Sequence, residues 1–218
     1  MPRVLILVEG QTEEVFVRGV LAPHLVTRGV HLHTTIVATR RVHSGGHFKG
    51  GITRYERVAS DIRKLLGDTD AKLVTTMFDF YGLPDDFPGQ ASKPPGTCYQ
   101  RVAHVEDAFR ASIGNTRFEP YLALHEFEAM VFVDPRRAEW VFANAAVVTG
   151  LEQIGTGFSS PEEIDEGPDT APSKRIRGLF PGYQKPFHGP MVAEAIGLDK
   201  VRARCPHFDE WLAKLEML

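Results

Sequence analysis

Acidic side chains directly follow three of the strands that the sequence predicts. Glu9 ends the first apolar run, Asp79 ends the third, and Glu126 and Glu128 follow the fourth. Carboxylates that meet at one edge of a sheet repel each other unless a cation neutralises them, and the hard cations Mg²⁺ and Mn²⁺ prefer oxygen ligands. Glu13 lies in the first turn of the next helix and can reach the same edge. The sequence therefore predicts a divalent metal site made by Glu9, Glu13, Asp79, Glu126 and Glu128.

Most of these carboxylates also have a simpler interpretation. Glu13 can complement the dipole of its helix, and Asp79 can be a turn residue before a long loop. Glu126 can cap the following helix, and Glu128 can be solvated. Glu9 is harder to explain in this way, because a carboxylate at the end of a fully apolar strand lies at a costly, nearly buried place.

The first 125 residues alternate between strand-like and helix-like segments. This alternation predicts the sheet that carries the acidic residues at one edge. The order strand, helix, strand, helix, strand, helix, strand implies right-handed crossovers and an α/β fold, with a mostly parallel four-stranded sheet flanked by helices. The carboxyl ends of such strands share one edge, where ligands bind. The predicted strands are Arg3–Val8, Val30–Thr39, Lys72–Phe78 and Phe118–Leu124, and the predicted helices run from Thr12 to an end or kink at Pro23, from Thr53 to Leu66 and through Val102–Ile113.

The alternation of strand-like and helix-like segments ends near Asp134. Residues 134–218 have mainly helical spacing, and Ser173 is a candidate cap for one of these helices. We therefore expect an α/β core over residues 1–133 and a helical C-terminal lobe over residues 134–218, packed together as one structural unit.

Composition excludes several classes of protein. The 218 residues are 43% hydrophobic and 24% charged, with a net charge of −3, which excludes a histone-like polycation and argues against tight, unassisted, non-specific DNA binding. The apolar runs are too short to span a bilayer, and no signal peptide is visible. The two cysteines fit a reducing compartment. We expect a cytoplasmic protein without membrane contact.

The residues at the strand ends resemble a known fold. The segment Val8–Glu13 and the pair Phe78-Asp79 look like the Toprim fold of topoisomerases, bacterial primases and overcoming-lysogenization-defect (OLD) nucleases. The chain as a whole resembles the DUF4276 family, a Toprim-like group of prokaryotes. The motifs that carry this resemblance are Val8–Glu13, Lys49–Gly51, Asp79–Leu83, His125–Ala129, Ala171–Ile176 and Cys205–Phe208.

The resemblance implies roles for these residues. Glu9 would be a metal ligand or an acid/base, Asp79 the first acid of an Asp-x-Asp motif, and Glu13 a ligand of a second metal. Tyr81 stands where that motif has its second acid, so Glu126 or Glu128 would substitute for it. The implied chemistry is phosphodiester hydrolysis, with Mg²⁺ or Mn²⁺ polarising the phosphate and activating water.

Two basic stretches are candidates for phosphate binding. In the first, Lys49, Gly50 and Gly51 precede a predicted helix, whose backbone N–H groups can approach an anion. In the second, Lys174 and Arg175 fall in the first turn of a helix, where cations oppose the helix dipole, and such a local conflict indicates a functional role. We expect Lys174 to act at the reacting phosphate and Arg175 to bind a phosphate. Solvated surface residues are the simpler interpretation of both stretches.

The sequence therefore predicts a metal-dependent nuclease that acts on DNA or RNA in a prokaryotic defence or repair system. OLD-type Toprim domains are associated with ABC/SMC-like ATPases, so the resemblance implies an ATPase partner in trans. Two alternatives stay open: a non-catalytic regulatory or nucleotide-binding subunit, which the missing second acid favours, and phosphoryl or nucleotidyl transfer as in primases. Assembly into a homo-oligomer also stays open.

Overall fold

The amino-terminal part of the chain is a parallel sheet with helices on both faces. The structure is a computed structural model that describes residues 1–37, 52–164, 167 and 169–218. The strands pair in the order β2-β1-β3-β4, and β5 also pairs with β3, in parallel throughout. This arrangement confirms the predicted fold class. The strands are β1 (Arg3–Val8), β2 (His31–Ile36), β3 (Ala71–Asp79), β4 (Phe118–Glu119) and β5 (Leu122–Ala123).

The central strand β1 is buried on both faces, which explains its uninterrupted apolar sequence. Val4, Ile6 and Val8 belong to one hydrophobic core, and Leu5 and Leu7 belong to the other. Because side chains alternate between the faces of a strand, an apolar residue is needed at every position.

The fourth predicted strand is divided into two short strands at Pro120. Proline has no N–H group to donate to a sheet. The side chain of Thr76 fills the gap: its Oγ1 donates to the Tyr121 carbonyl and accepts from the Tyr121 N–H, both at 3.0 Å. The chain then returns to β3 as β5, so its acidic continuation still leaves at the carboxyl edge.

The first helical segment does not end at Pro23. The Ala22 N–H donates to the Val17 carbonyl, so a π-helical turn directly precedes α2 and widens the helix before the proline. Pro23 then lies at the beginning of α2, where a missing N–H is tolerated. The helices of this part are α1 (Gln11–Phe16), the π turn (Val17–Leu21), α2 (Ala22–Thr27), α3 (Tyr55–Leu66) and α4 (Cys98–Ile113), with a 3₁₀ turn at Gln90–Ser92.

The C-terminal part is helical and shares a core with the sheet. One hydrophobic cluster joins Val4 and Val8 of β1 to Phe208 and Leu215 near the carboxyl end. Among the described residues, no helix is long and apolar enough to cross a membrane. The helices of this part are α5 (Glu139–Phe142), α6 (Ala145–Gly155), α7 (Pro172–Leu179), α8 (Lys185–Ile196), α9 (Leu198–Arg204) and α10 (Pro206–Glu216), with 3₁₀ turns at Phe127–Phe132, Pro135–Ala138 and Pro161–Glu163.

Candidate metal centre

The sheet brings four of the five predicted carboxylates to its carboxyl edge. Val8 of β1 is in register with Met77 of β3, and Asp79 of β3 is in register with Ala123 of β5. Glu9 and Asp79 therefore leave neighbouring strands side by side, and the chain after β5 delivers Glu126 and Glu128 to the same place.

Asp79, Glu126 and Glu128 form the closest group. One carboxylate oxygen from each lies within 4.8 Å of the others, a spacing that can hold a metal ion. Asp79 is fixed there because its Oδ1 accepts a hydrogen bond from the Phe127 N–H at 2.8 Å. The segment after Glu126 is a 3₁₀ turn rather than a regular helix. The first N–H group of this turn therefore fixes the carboxylate of Asp79.

A one-residue reversal at His125 turns the chain from β5 into this segment. The Glu126 N–H donates to the Leu124 carbonyl at 2.9 Å, and His125 has a φ of 63°, in the left-handed region. Such a conformation in a residue other than glycine costs of the order of 1–3 kcal/mol. It places Glu126 inward at the edge, where the residue is 7% exposed.

Glu9 lies against Asp79 from the neighbouring strand. Its Oε2 accepts from the Asp79 N–H at 3.1 Å. Covalent geometry then keeps the two carboxyl groups within about 8 Å of each other. Both can therefore face one cation or a close pair of cations.

Glu13 combines a local role with a place in the acidic group. Its Oε2 accepts from the Gly10 N–H at 2.9 Å, at the positive end of α1, which agrees with its simpler interpretation as a complement to the helix dipole. The side chain is nevertheless buried, and its pKa responds to the charge of Glu128. Glu13 thus reaches the cluster from α1 while one oxygen caps the helix.

Lys185 supplies the positive charge of the cluster and was not anticipated from the sequence. Its Nζ donates to Glu126 Oε1 at 3.1 Å and to Glu128 Oε2 at 2.9 Å. It is the first residue of α8, directly before Pro186, so its cation opposes the helix dipole. The same signal drew attention to Lys174 and would have identified Lys185.

Ser173 binds Glu126 instead of capping its own helix, so the predicted cap is wrong. The Ser173 N–H and Oγ donate to the two oxygens of Glu126 at 2.8 and 2.9 Å. Helix α7 begins at Pro172, with Ala171 at the capping position. The carboxylate of Glu126 therefore takes the capping role, since it faces the free N–H groups and positive end of the helix.

Burial sets the electrostatics of the cluster. Burial, followed by the charge of Glu13, raises the pKa of Glu9 to about 7. Burial also raises the pKa of Glu13 to about 7 and the pKa values of Asp79 and Glu128 above their usual range. Burial lowers the pKa of Lys185, but the nearby carboxylates, Glu128 foremost, raise it by more. The lysine therefore stays charged within an excess of negative charge.

The cluster has the features of a cation site. Its donor atoms are all oxygens, and its carboxylates outnumber Lys185, which is partly buried. Among the residues that the structure describes, the buried Glu128 Oε1 has no hydrogen-bond partner. A buried carboxylate oxygen without a partner is costly, so a ligand is expected there. These residues fit Mg²⁺ or Mn²⁺, which bind oxygen ligands.

The predicted phosphate contacts are only partly positioned by the structure. Lys174 is exposed and follows Ser173 directly, one residue from the cluster. Arg175 makes structural contacts: its Nε donates to the Thr170 carbonyl at 2.6 Å, and its guanidinium lies 5.7 Å from the centre of the Phe158 ring. Lys49, Gly50 and Gly51 lie outside the described residues.

Comparison with known proteins identifies the family. The family model described as "Domain of unknown function (DUF4276)" matches residues 8–216. This match confirms the family resemblance of the sequence motifs. The chain is also similar, at 16% identity and a TM-score of 0.43 over 98% of each chain, to the C-terminal region of the Burkholderia pseudomallei OLD protein. It is similar, at 16% identity and a TM-score of 0.38 over 100% of this chain and 99% of the other, to the C-terminal region of the Xanthomonas campestris pv. campestris OLD protein. No curated protein matches the chain.

Proposed function

The chain belongs to the DUF4276 family, and we propose that it hydrolyses nucleic-acid phosphodiester bonds with the help of a divalent cation. The observation that carries this proposal is the convergence of Asp79, Glu126 and Glu128 within 4.8 Å, next to Glu9 and Glu13. Like charges at this density destabilise the fold unless they are compensated, so their presence favours a functional cation site.

Asp79, Glu126 and Glu128 would hold the cation, with Glu9 and Glu13 on the α1 side. When bound, Mg²⁺ or Mn²⁺ would polarise the phosphate and lower the pKa of water. Glu9 is our candidate for the general base or acid, because its carboxylate lies beside Asp79 at the edge of the cluster and has a pKa of about 7 in the metal-free protein.

Lys185 would supply fixed positive charge to the reacting phosphate. In the structure its ammonium group binds Glu126 and Glu128, where it compensates their charge. With a divalent cation held by these carboxylates, Lys185 would no longer be needed to compensate their charge and would be available to the phosphate. A fixed positive charge that faces developing negative charge stabilises the transition state. Lys174, exposed one residue from Ser173, would contact the same or a neighbouring phosphate.

A cleavage assay tests the proposal. Purified protein is incubated with end-labelled single-stranded DNA, duplex DNA and RNA in Mg²⁺, Mn²⁺ or EDTA. We expect cleavage of at least one substrate only with the metal, and loss of cleavage in Asp79→Asn. The matched control is Asp70→Asn, which neutralises an exposed carboxylate just before the same strand. Cleavage that survives Asp79→Asn, or persists in EDTA, would contradict the proposal.

A non-catalytic regulatory subunit is the second candidate. The observation that favours it is Tyr81, which is 42% exposed at the position of the second acid and adds no charge to the cluster. With a net charge of −3, the chain also has little general attraction for nucleic acid. We therefore propose an ATPase partner of the ABC/SMC-like class that grips the nucleic acid. Mn²⁺ binding without cleavage, both by the isolated chain and by its complex with that ATPase, would favour the regulatory role.

A further inference from the structure

A buried phenol beside the acidic cluster has no hydrogen-bond partner within the described part of the chain. Tyr183 lies between α7 and α8 and is 4% exposed, and its hydroxyl makes no hydrogen bond to any residue that the structure describes. A buried hydroxyl normally has a partner, because an unpaired one costs free energy. The absence of a partner for the Tyr183 hydroxyl therefore needs an explanation from the site itself.

Tyr183 lies beside the metal centre, because its hydroxyl and the ring of Phe127, the residue between Glu126 and Glu128, both lie within 3.2 Å of the Cβ position of Gly189. Burial, followed by the negative charges of Glu128 and Glu126, raises the pKa of Tyr183. The phenol therefore stays protonated at neutral pH, as a neutral donor. It belongs to the segment that also carries Lys185, the ion-pair partner of both glutamates.

The position of the hydroxyl is fixed by close packing against α8. Gly189 lies inside α8, where glycine costs about 1 kcal/mol relative to alanine. A Cβ atom at this position would stand 2.9 Å from the Tyr183 hydroxyl oxygen and 3.2 Å from the ring of Phe127. The Tyr183 ring also stacks on His188, with ring centres 5.7 Å apart and planes at 26°. Glycine at this position avoids a clash with the Tyr183 hydroxyl, and the stacking on His188 orients the Tyr183 ring.

We propose that Tyr183 is a substrate-binding residue that donates its hydroxyl hydrogen to a phosphate oxygen at the metal centre. This inference rests on the proposed function. A phosphate oxygen is an anionic acceptor, so the hydrogen bond to it is charge-assisted. A neutral donor suits this position, because Lys185 already supplies a positive charge beside the bound cation. Tyr183 and Lys185 together thus form the phosphate subsite.

The test measures phosphate binding instead of cleavage. Wild type and Tyr183→Phe are titrated calorimetrically with thymidine 5′-monophosphate in saturating Mn²⁺, with thymidine as the ligand that lacks the phosphate. We expect Tyr183→Phe to weaken binding of the monophosphate roughly tenfold, the usual effect of one hydrogen bond to a charged group. Mn²⁺ affinity should stay the same, and the melting temperature in EDTA should be unchanged or higher, because the unpaired hydroxyl is removed. The matched control is Tyr99→Phe, which removes a phenol that donates to Glu162.

Each outcome separates this inference from the proposed function. Equal affinity of wild type and Tyr183→Phe for the monophosphate overturns the inference, and so does a loss of Mn²⁺ affinity in Tyr183→Phe. Wild type that binds Mn²⁺ but binds the monophosphate no better than thymidine overturns the phosphate subsite and leaves the metal centre intact. Wild type that binds no Mn²⁺ contradicts the proposed function and this inference with it.

Discussion

Replacing Glu9 by glutamine should stabilise the metal-free protein at alkaline pH and leave it nearly unchanged in acid. The pKa of Glu9 rises from 4.5 to about 7 in the folded protein, mainly through burial. Ionisation of Glu9 above pH 7 therefore costs the folded state about 3 kcal/mol that a neutral side chain does not cost. Glutamine keeps an oxygen that can accept from the Asp79 N–H and carries no charge. For a chain of this length the gain corresponds to an increase of about 6–12 °C in melting temperature at pH 8.

The assay is thermal unfolding in EDTA at pH 5 and pH 8. Near pH 5 Glu9 is mostly protonated in the folded state and only the unfolded chain ionises, so Glu9→Gln should gain no more than about 1 kcal/mol there. The matched control is Glu14→Gln on the following helix α1, where the carboxylate pairs with Arg18 near the surface and the change should have little effect at either pH. Destabilisation of Glu9→Gln at both pH values would refute the reasoning, because it would assign the carboxylate a structural role. An equal gain at both pH values would refute the raised pKa.

Three further predictions follow from the same electrostatics. Lys185→Met should destabilise the protein in EDTA by about 3 kcal/mol, because it leaves buried carboxylates without their positive partner. Mn²⁺ should restore more stability to this variant than to wild type. Equal responses to Mn²⁺ would contradict a metal site on the carboxylates that Lys185 binds. Because the folded-state pKa values of Glu9 and Glu13 are raised, the stability of the metal-free protein should be greatest near pH 4.5 and fall as the pH rises through 7. Mn²⁺ should remove much of this fall. A urea unfolding midpoint that stays constant across this pH range would contradict the prediction. Lys174→Ala should leave the melting temperature unchanged and flatten the slope of log affinity against log salt by about 0.9 for duplex DNA. Arg175→Ala should in addition lose about 1 kcal/mol of folding stability, because it removes the hydrogen bond to the Thr170 carbonyl. An unchanged salt slope for Lys174→Ala would remove this lysine from the site.

The fold could be predicted where the pattern of apolar residues was unambiguous. The run Val4–Val8 has only apolar residues, and only a strand buried on both faces requires that. The interruption of the fourth strand depends on a tertiary contact, the Thr76 side chain on Tyr121, which no local pattern reveals. The passage of the first helix through Pro23 depends on a π turn, for which the sequence has no recognised signal.

The acidic part of the site was predictable because parallel strands end at one edge. Glu9, Asp79 and Glu126 needed only the strand order to be placed together. Lys185 was missed because it reaches the cluster from α8, which packs on α1 far along the chain. Helix packing of this kind depends on the whole core rather than on spacing, although a lysine at a helix start before Pro186 was a usable signal.

Anomalous diffraction from crystals soaked in Mn²⁺ shows whether this acidic cluster binds a divalent cation. We expect an anomalous peak within coordination distance of the oxygens of Asp79, Glu126 and Glu128. We also expect Lys185 to move away from at least one of the two glutamates that it now binds. No peak at saturating Mn²⁺, with Lys185 still bound to both glutamates, would contradict a divalent cation site in this cluster.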